Sequence, residues 1–173
     1  FLSYKDKCLK WGDFPFVPDL DIDKTIAAKR TATPVKILWV ARFLRWKHPE
    51  RMLQLACQLQ KQNVDFHINM IGVGPEYDKI QQGIEKLGPE QFASLLGAIP
   101  NAEVFQVMLS HHIFCLTSDK NEGLGAVLNE AMANGCCPVG SIEAGSTPYL
   151  IKDGINGFSF NLKQENELFE KVM

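Results

Sequence analysis

From Val35 onward the chain alternates between two hydrophobic patterns. Short apolar runs are separated by longer segments whose apolar positions recur every three or four residues. "VKILWV" (35–40) is of the first kind, a continuous run suited to a strand buried on both faces. "PERMLQLACQLQKQ" (49–62) is of the second. Met52, Leu55, Ala56 and Leu59 fall at i, i+3, i+4 and i+7, which predicts an amphipathic helix with proline near its first turn. The alternation continues: "FHINMIG" (66–72), "FASLLG" (92–97), "IFCLTS" (113–118), "CPVGS" (137–141) and "GFSF" (157–160) read as strands, the last at an edge. Between them, "PEYDKIQQGIEKLG" (75–88), "NAEVFQVMLSH" (101–111), a segment opening near Gly125 and "TPYLIKDG" (147–154) read as helices.

Strands and helices alternating through short connections imply βαβ units with right-handed crossovers. The expected fold class is α/β: a doubly wound, mostly parallel, Rossmann-like sheet. Ligands of such sheets sit beyond the carboxyl ends of the strands. The loops of interest are therefore 41–48, 72–76, 97–101, 118–125 and 141–147. Residues 1–34 lack periodicity and carry scattered aromatics and prolines. They read as a lead-in of a strand or two plus an interdomain connection.

One segment stands out, "NEGLGAVLNEAMANG" (121–135). Leu124, Val127, Leu128, Ala131 and Met132 form a helical stripe, and the helix starts near Gly125. The backbone N–H groups of residues 124–127 then point into the strand-end crevice, where donors and helix dipole both favour an anion. Glycine removes the Cβ that blocks close approach. Glu122 lies just outside this nest, and Glu130 lies further along the helix at the edge of the stripe. A carboxylate there repels phosphate but accepts hydrogen bonds from hydroxyls, so phosphate on the N–H groups and sugar on the acids is the natural division. "ARFLRWKHPE" (41–50) supplies cations at the end of the first strand: Arg42, Arg45 and Lys47. "IGVGP" (71–75) is an incomplete glycine motif that reads equally as a simple turn.

Composition narrows the classes. The chain has 173 residues, 46% hydrophobic and 22% charged, with a net charge of −2. It suits one domain with a sizeable core and gives no general attraction to nucleic acid. It has no apolar run of bilayer-spanning length. Five cysteines without CxxC spacing argue against a disulfide framework or zinc site and for a cytoplasmic setting. His111-His112, at a helix-to-strand junction, lacks metal-ligand spacing, because neighbours on a strand point oppositely.

Taken in order, "VARFLRWKHPERML" (40–53), "INMIGVGPEYDKI" (68–80), "LLGAIP" (95–100), "TSDKNEGLGAVLNEAMANGCCPVGS" (117–141) and "EAGSTPYLIKDGINGFSF" (143–160) resemble one family. It is the C-terminal, donor-binding domain of GT-B retaining glycosyltransferases, glycosyltransferase family 4. The Glu122/Glu130 spacing joined to "EAMA" and "PV" is its most specific element. The resemblance implies roles. Arg42 and Lys47 hold the donor pyrophosphate and its departing charge. Glu122 lies by the transferred sugar, and Gly123, Leu124 and Gly125 form the turn whose N–H groups meet sugar and phosphate. Glu130 binds the ribose hydroxyls, while Ala98 and Ile99 lie near the nucleobase. Glu122, Arg42 and Lys47 are thus the candidate catalytic residues. The donor is a UDP- or GDP-linked sugar, with no metal and no other cofactor required.

The chain departs from the family pattern at Leu124 (often Phe), at Thr117-Ser118 (often Pro-Ser), at His48 (commonly Gly) and at Tyr149 (frequently an acid). The resemblance further implies that residues 1–34 lead in from an N-terminal acceptor domain. Residues 35–173 form the donor domain with its C-terminal helix cut short, inactive by itself. Acceptor binding, and any peripheral contact with the cytoplasmic membrane face, belong to the other half. Two alternatives stay open: a related sugar-nucleotide epimerase or hydrolase, and a non-catalytic Rossmann-like binding module.

Overall fold

The computed structural model describes residues 20–86 and 92–173. Six strands form one sheet: β1 (Val35–Val40), β2 (Phe66–Ile71), β3 (Ala93–Gly97), β4 (Ile113–Leu116), β5 (Cys137–Ser141) and β6 (Phe158–Phe160). Their order is β3-β2-β1-β4-β5-β6, and every pair is parallel. The order reverses direction between β1 and β4, which is where a doubly wound sheet opens its ligand crevice. β6 lies at an edge, as its sequence suggests.

Helices cover both faces. They are α1 (Ile22–Arg30), α2 (Glu50–Lys61), α3 (Tyr77–Lys86), α4 (Asn101–Leu109), α5 (Ala126–Ala133), α6 (Thr147–Leu150) and α7 (Glu167–Val172), with a 3-10 turn at Arg45–Lys47. Alternation along β1 divides the core. Ile37 and Trp39 face a cluster with Met52, Leu55 and Leu59 of α2 and Ile80 and Ile84 of α3. Leu38 packs with Val104 and Met108 of α4 and Leu128 and Ala131 of α5 on the other side. The α2 stripe read from periodicity is buried at all four positions. In α3, Ile80 and Ile84 are buried and Tyr77 packs beside them, while Leu87 lies outside the described residues.

Three expectations are corrected. Among residues 20–34 there is no strand; α1 occupies Ile22–Arg30 instead. Asp21 caps it, its side chain accepting from the Lys24 N–H at 3.1 Å. The aromatics of residues 1–19 lie outside the described residues. Second, Leu124 is not on the α5 stripe. Gly125 takes a left-handed conformation (φ 70°, ψ 53°) and starts the helix at Ala126, which leaves Leu124 in the loop, 42% exposed. Third, β4 ends at Leu116, where its pairing with β5 stops at Gly140; the Thr117 and Ser118 hydroxyls beyond it bond to Lys47 and Glu122.

The glycines of "IGVGP" serve packing. A Cβ on Gly72 (φ 131°) would overlap the Ala41 carbonyl oxygen, and one on Gly74 would stand 2.6 Å from the Phe43 carbonyl oxygen. The loops after β1 and β2 thus lie backbone against backbone, with the Phe43 N–H donating to the Val73 carbonyl at 3.0 Å. These glycines carry the loop holding Lys47.

Candidate functional site

At the carboxyl end of β1 lies an open crevice of about 320 Å³, lined by Val40, Ala41, Lys47, Asn101, Val104, Phe105, Glu122, Gly125, Ala126, Val127 and Glu130. Its walls come from the end of β1, the start of α4, the loop after β4 and the first turns of α5. Lys47 and Glu122 form an ion pair across it, the ammonium donating to Glu122 Oε2. Ser118 Oγ donates to the same oxygen at 2.9 Å. The Lys47 ammonium also lies 4.4 Å from the centre of the Trp46 ring.

The Glu122 loop is braced from below. The Gly145 N–H donates to the Glu122 carbonyl, and the Ser146 N–H to that of Leu124, both at 3.0 Å. A Cβ on Gly145 would overlap the Gly123 carbonyl oxygen, so only glycine lets the 141–146 loop approach this far. On the far side, the Asp119 N–H donates to the Trp46 carbonyl at 2.9 Å. Its carboxylate faces His48 Nε2 at 3.5 Å, while His48 Nδ1 meets Glu50 Oε1 at 2.8 Å. Burial alone raises the Asp119 carboxyl, but hydrogen bonds from Asn121 and His48 outweigh it and hold the group below its ordinary range. His48 adopts a left-handed conformation (φ 49°, ψ 52°), the backbone state that glycine takes freely.

The structure brings Lys47, Glu122, Gly125 and Glu130 together in the crevice. It leaves Arg42, Gly123, Leu124, Ala98 and Ile99 off its lining: Arg42, Gly123, Leu124 and Ala98 are exposed, and Ile99 packs against the core. Arg42 follows the lining residue Ala41 at the rim. The crevice also includes Asn101, at the end of the expected 97–101 loop, and Val104 and Phe105, which the sequence did not single out. As the opening residues of a helix beginning at a strand end, they were findable from the rule that places ligands there. The first two N–H groups of α5, at Ala126 and Val127, lack i−4 partners by the geometry of a helix start. The site therefore joins an ammonium and helix-start donors, suited to anionic oxygens, with two carboxylates suited to hydroxyls.

His111 and His112 are structural. His111 is 2% exposed; Nδ1 donates to the Val107 carbonyl at 2.6 Å and Nε2 meets the Asn69 side-chain amide at 2.8 Å. Burial pushes its pKa down to about 4, partly offset by the Val107 bond. His112 Nδ1 accepts the Lys36 N–H at 2.9 Å, so Nε2–H donates to the Lys29 carbonyl at 2.9 Å. Among the described residues no group of three or more His, Cys, Asp or Glu is arranged to hold a metal. No described helix is long and apolar enough to cross a membrane. Cys136 and Cys137 are free thiols.

A larger cavity, about 590 Å³, opens beside the amino ends of β4, β5 and β6, lined by Ile22, Ile26, Met132, Phe158 and others. Its lining is mostly apolar, and it lies at the wrong edge of the sheet for a diphosphate.

A sequence model of the family described as glycosyl transferases group 1 matches residues 21–173, and the chain belongs to that family. It is 25% identical over 158 residues to the Streptococcus gordonii UDP-N-acetylglucosamine–peptide N-acetylglucosaminyltransferase GtfA subunit, covering 91% of this chain and 30% of that protein. It is 30% identical over 135 residues to the putative colanic acid biosynthesis glycosyltransferase WcaL of Escherichia coli, covering 75% and 33%. The chain thus spans about a third of the length of these curated relatives. Anabaena Alr3699/HepE, solved with UDP and glucose, superposes with a TM-score of 0.69 at 26% identity, over 87% of this chain and 40% of that one. The C-terminal domain of LpcC, a glycosyl transferase group 1 family protein of Francisella tularensis, superposes at 0.72 with 21% identity over 91% and 83%. The architecture is one half of a GT-B fold. The match to the family begins at residue 21, immediately before α1.

Proposed function

We propose that this chain is the donor-binding domain of a retaining glycosyltransferase of family 4, which transfers a sugar from a nucleoside diphosphate carrier to a hydroxyl-bearing acceptor. One observation carries the reading: a single crevice at the sheet's switch point joins Lys47 and the α5 helix start to Glu122 and Glu130. The UDP in the HepE structure supports a uridine carrier, and a guanosine carrier is tested beside it.

In this reading the diphosphate lies over Ala126 and Val127, with Lys47 on its oxygens and Arg42 reaching in from the rim. As the bond from the anomeric carbon to the diphosphate oxygen lengthens, charge grows on the departing oxygen. Fixed donors already aimed there lower the barrier, since no reorganisation is needed at that moment. Glu122 accepts from hydroxyls of the transferred sugar, and Glu130 accepts from the ribose hydroxyls. Cationic side chains and the helix start meet the diphosphate charge, so the reading requires no metal. Acceptor recognition is assigned to the remainder of a full-length protein of the relatives' kind.

The test is a thermal-shift titration with UDP and with GDP in the presence of EDTA. One of them raises the midpoint of the wild-type chain, and Glu130→Ala and Arg42→Ala abolish the shift. Absence of any shift with both nucleotides overturns the reading.

A further inference from the structure

The dipeptide Thr117-Ser118 follows β4 directly and is buried, 0% and 1% exposed. Its two hydroxyls go to the two partners of the crevice ion pair. Thr117 Oγ1 donates to the Lys47 carbonyl at 2.6 Å. It also accepts from Trp39 Nε1 at 2.8 Å, so its single proton is directed at Lys47. Ser118 Oγ donates to Glu122 Oε2 at 2.9 Å. One residue on, the Asp119 N–H donates to the Trp46 carbonyl. Three consecutive residues thus pin the Trp46–Lys47 backbone and the Glu122 carboxylate to one buried strand end, itself anchored by the fully packed Trp39 of β1.

We propose that Thr117 and Ser118 are positioning residues with separate duties: Thr117 sets the reach of Lys47 toward the donor phosphates, and Ser118 sets the orientation of Glu122 toward the donor sugar. The inference rests on the reading of the crevice as a donor site. Thr117 carries a hydroxyl where the family pattern often has proline. Proline offers no side-chain donor, so the grip on Lys47 depends on the Thr117 hydroxyl. Both Lys47 and Ser118 donate to Oε2, which leaves Oε1 of Glu122 to accept from a hydroxyl. Removing the Ser118 donor lets the carboxylate rotate and blurs that distinction. Removing the Thr117 hydroxyl releases the Lys47 carbonyl and leaves Trp39 Nε1 without this acceptor, while Glu122 stays on Ser118.

The two duties separate in binding. The full chain is titrated calorimetrically with UDP, GDP, UDP-glucose, UDP-N-acetylglucosamine and GDP-mannose, and the tightest nucleotide and its sugar conjugate become the probes. Thr117→Val weakens both probes by a similar factor, about tenfold, the scale of a hydrogen bond to a charged group. Thr117→Ser restores wild-type affinity. Ser118→Ala leaves the bare nucleotide unchanged and weakens the sugar conjugate by about fivefold, the scale of one lost hydrogen bond; Ser118→Thr restores it. A general loss of packing cannot produce this split or its rescue. Should Thr117→Val fail to fold, Thr117→Ser and the Ser118 variants still decide the outcome. Wild-type affinities in Thr117→Val and Ser118→Ala, or equal losses of both probes in Ser118→Ala, overturn the positioning roles. Failure of the wild-type chain to bind any probe overturns the donor-site reading itself, and the positioning roles with it.

Discussion

Lys47 and Glu122, 75 residues apart in the chain, meet as an ion pair in the crevice, with 14% and 10% of their side chains exposed. The pair fixes the ammonium at the crevice wall, where Glu122 shares it with the diphosphate of the proposed donor. Glu122→Gln keeps the shape and removes the competing charge. Calorimetry should find the bare nucleotide bound about as tightly or up to about fivefold more tightly than by the wild type, as expected for releasing one partly exposed pair. Lys47→Met should weaken it by about tenfold or more, the loss of a charge-assisted contact.

Gly145 decides where the Glu122 loop sits. Gly145→Ala must drive the 141–146 loop off the Gly123 carbonyl and break the bond from the Gly145 N–H to Glu122. Urea denaturation should show a loss of about 2 kcal/mol, the range for a buried clash with a broken hydrogen bond. Nucleotide affinity should fall as well, although Gly145 touches no ligand.

Lys29 binds α1 to the rest of the domain. It is only 8% exposed, and its ammonium donates to the Met108 carbonyl at 3.1 Å and the Asn134 carbonyl at 2.9 Å. These oxygens end α4 and α5, where the helix dipoles favour a cation. Burial holds the Lys29 pKa below its ordinary value, with the neighbouring Cys136 acting against it. Lys29→Ala strands the buried Asn134 carbonyl and takes one donor from that of Met108, which keeps the His111 N–H at 3.1 Å, and should cost about 2 kcal/mol in urea denaturation. If α1 were a loosely attached lead-in, the cost would be near zero.

His111 gives a pH signature. It is buried and neutral, with a folded pKa of about 4 against an ordinary 6.5. The unfolded chain therefore binds the extra proton between these values. The contribution of His111 is fully present above pH 6.5 and is lost as the pH falls toward 4. Each tenfold difference in proton affinity between the folded and unfolded chain is worth about 1.4 kcal/mol, so the total is about 3 kcal/mol. Stability measured from pH 7 down to 4 should fall with this slope in the wild type, and His111→Gln should flatten it.

The strands and the larger helices were legible because their apolar periodicity coincides with burial, as at Met52, Leu55, Ala56 and Leu59. The α1 helix was not, because its pattern is inverted: Ile22 and Ile26 stand 37% and 38% exposed while Lys29 is buried. Periodicity has nothing to register there; only the Asp21 cap and the basic last turn announce the helix. In the site, Lys47, Glu122 and Glu130 were found because chemistry and strand-end position agree. Of α4, Asn101 falls in the expected 97–101 loop, while Val104 and Phe105 were not legible, since they carry no polar chemistry and reach the crevice through packing. The Thr117 and Ser118 hydroxyls escaped as well. Each bonds to a residue remote in sequence, or across a turn whose shape the sequence does not show.

Two openings compete for a nucleoside diphosphate, the smaller polar crevice at the strand carboxyl ends and the larger apolar cavity at the opposite edge. Amide chemical shifts of the isotopically labelled chain, followed while UDP or GDP is added, distinguish them directly. Binding in the polar crevice predicts saturable shifts at Gly125, Ala126, Val127, Lys47 and Asn101, with little change at Ile22, Ile26 and Phe158. Shifts confined to Ile22, Ile26 and Phe158, or none with either nucleotide, would contradict it.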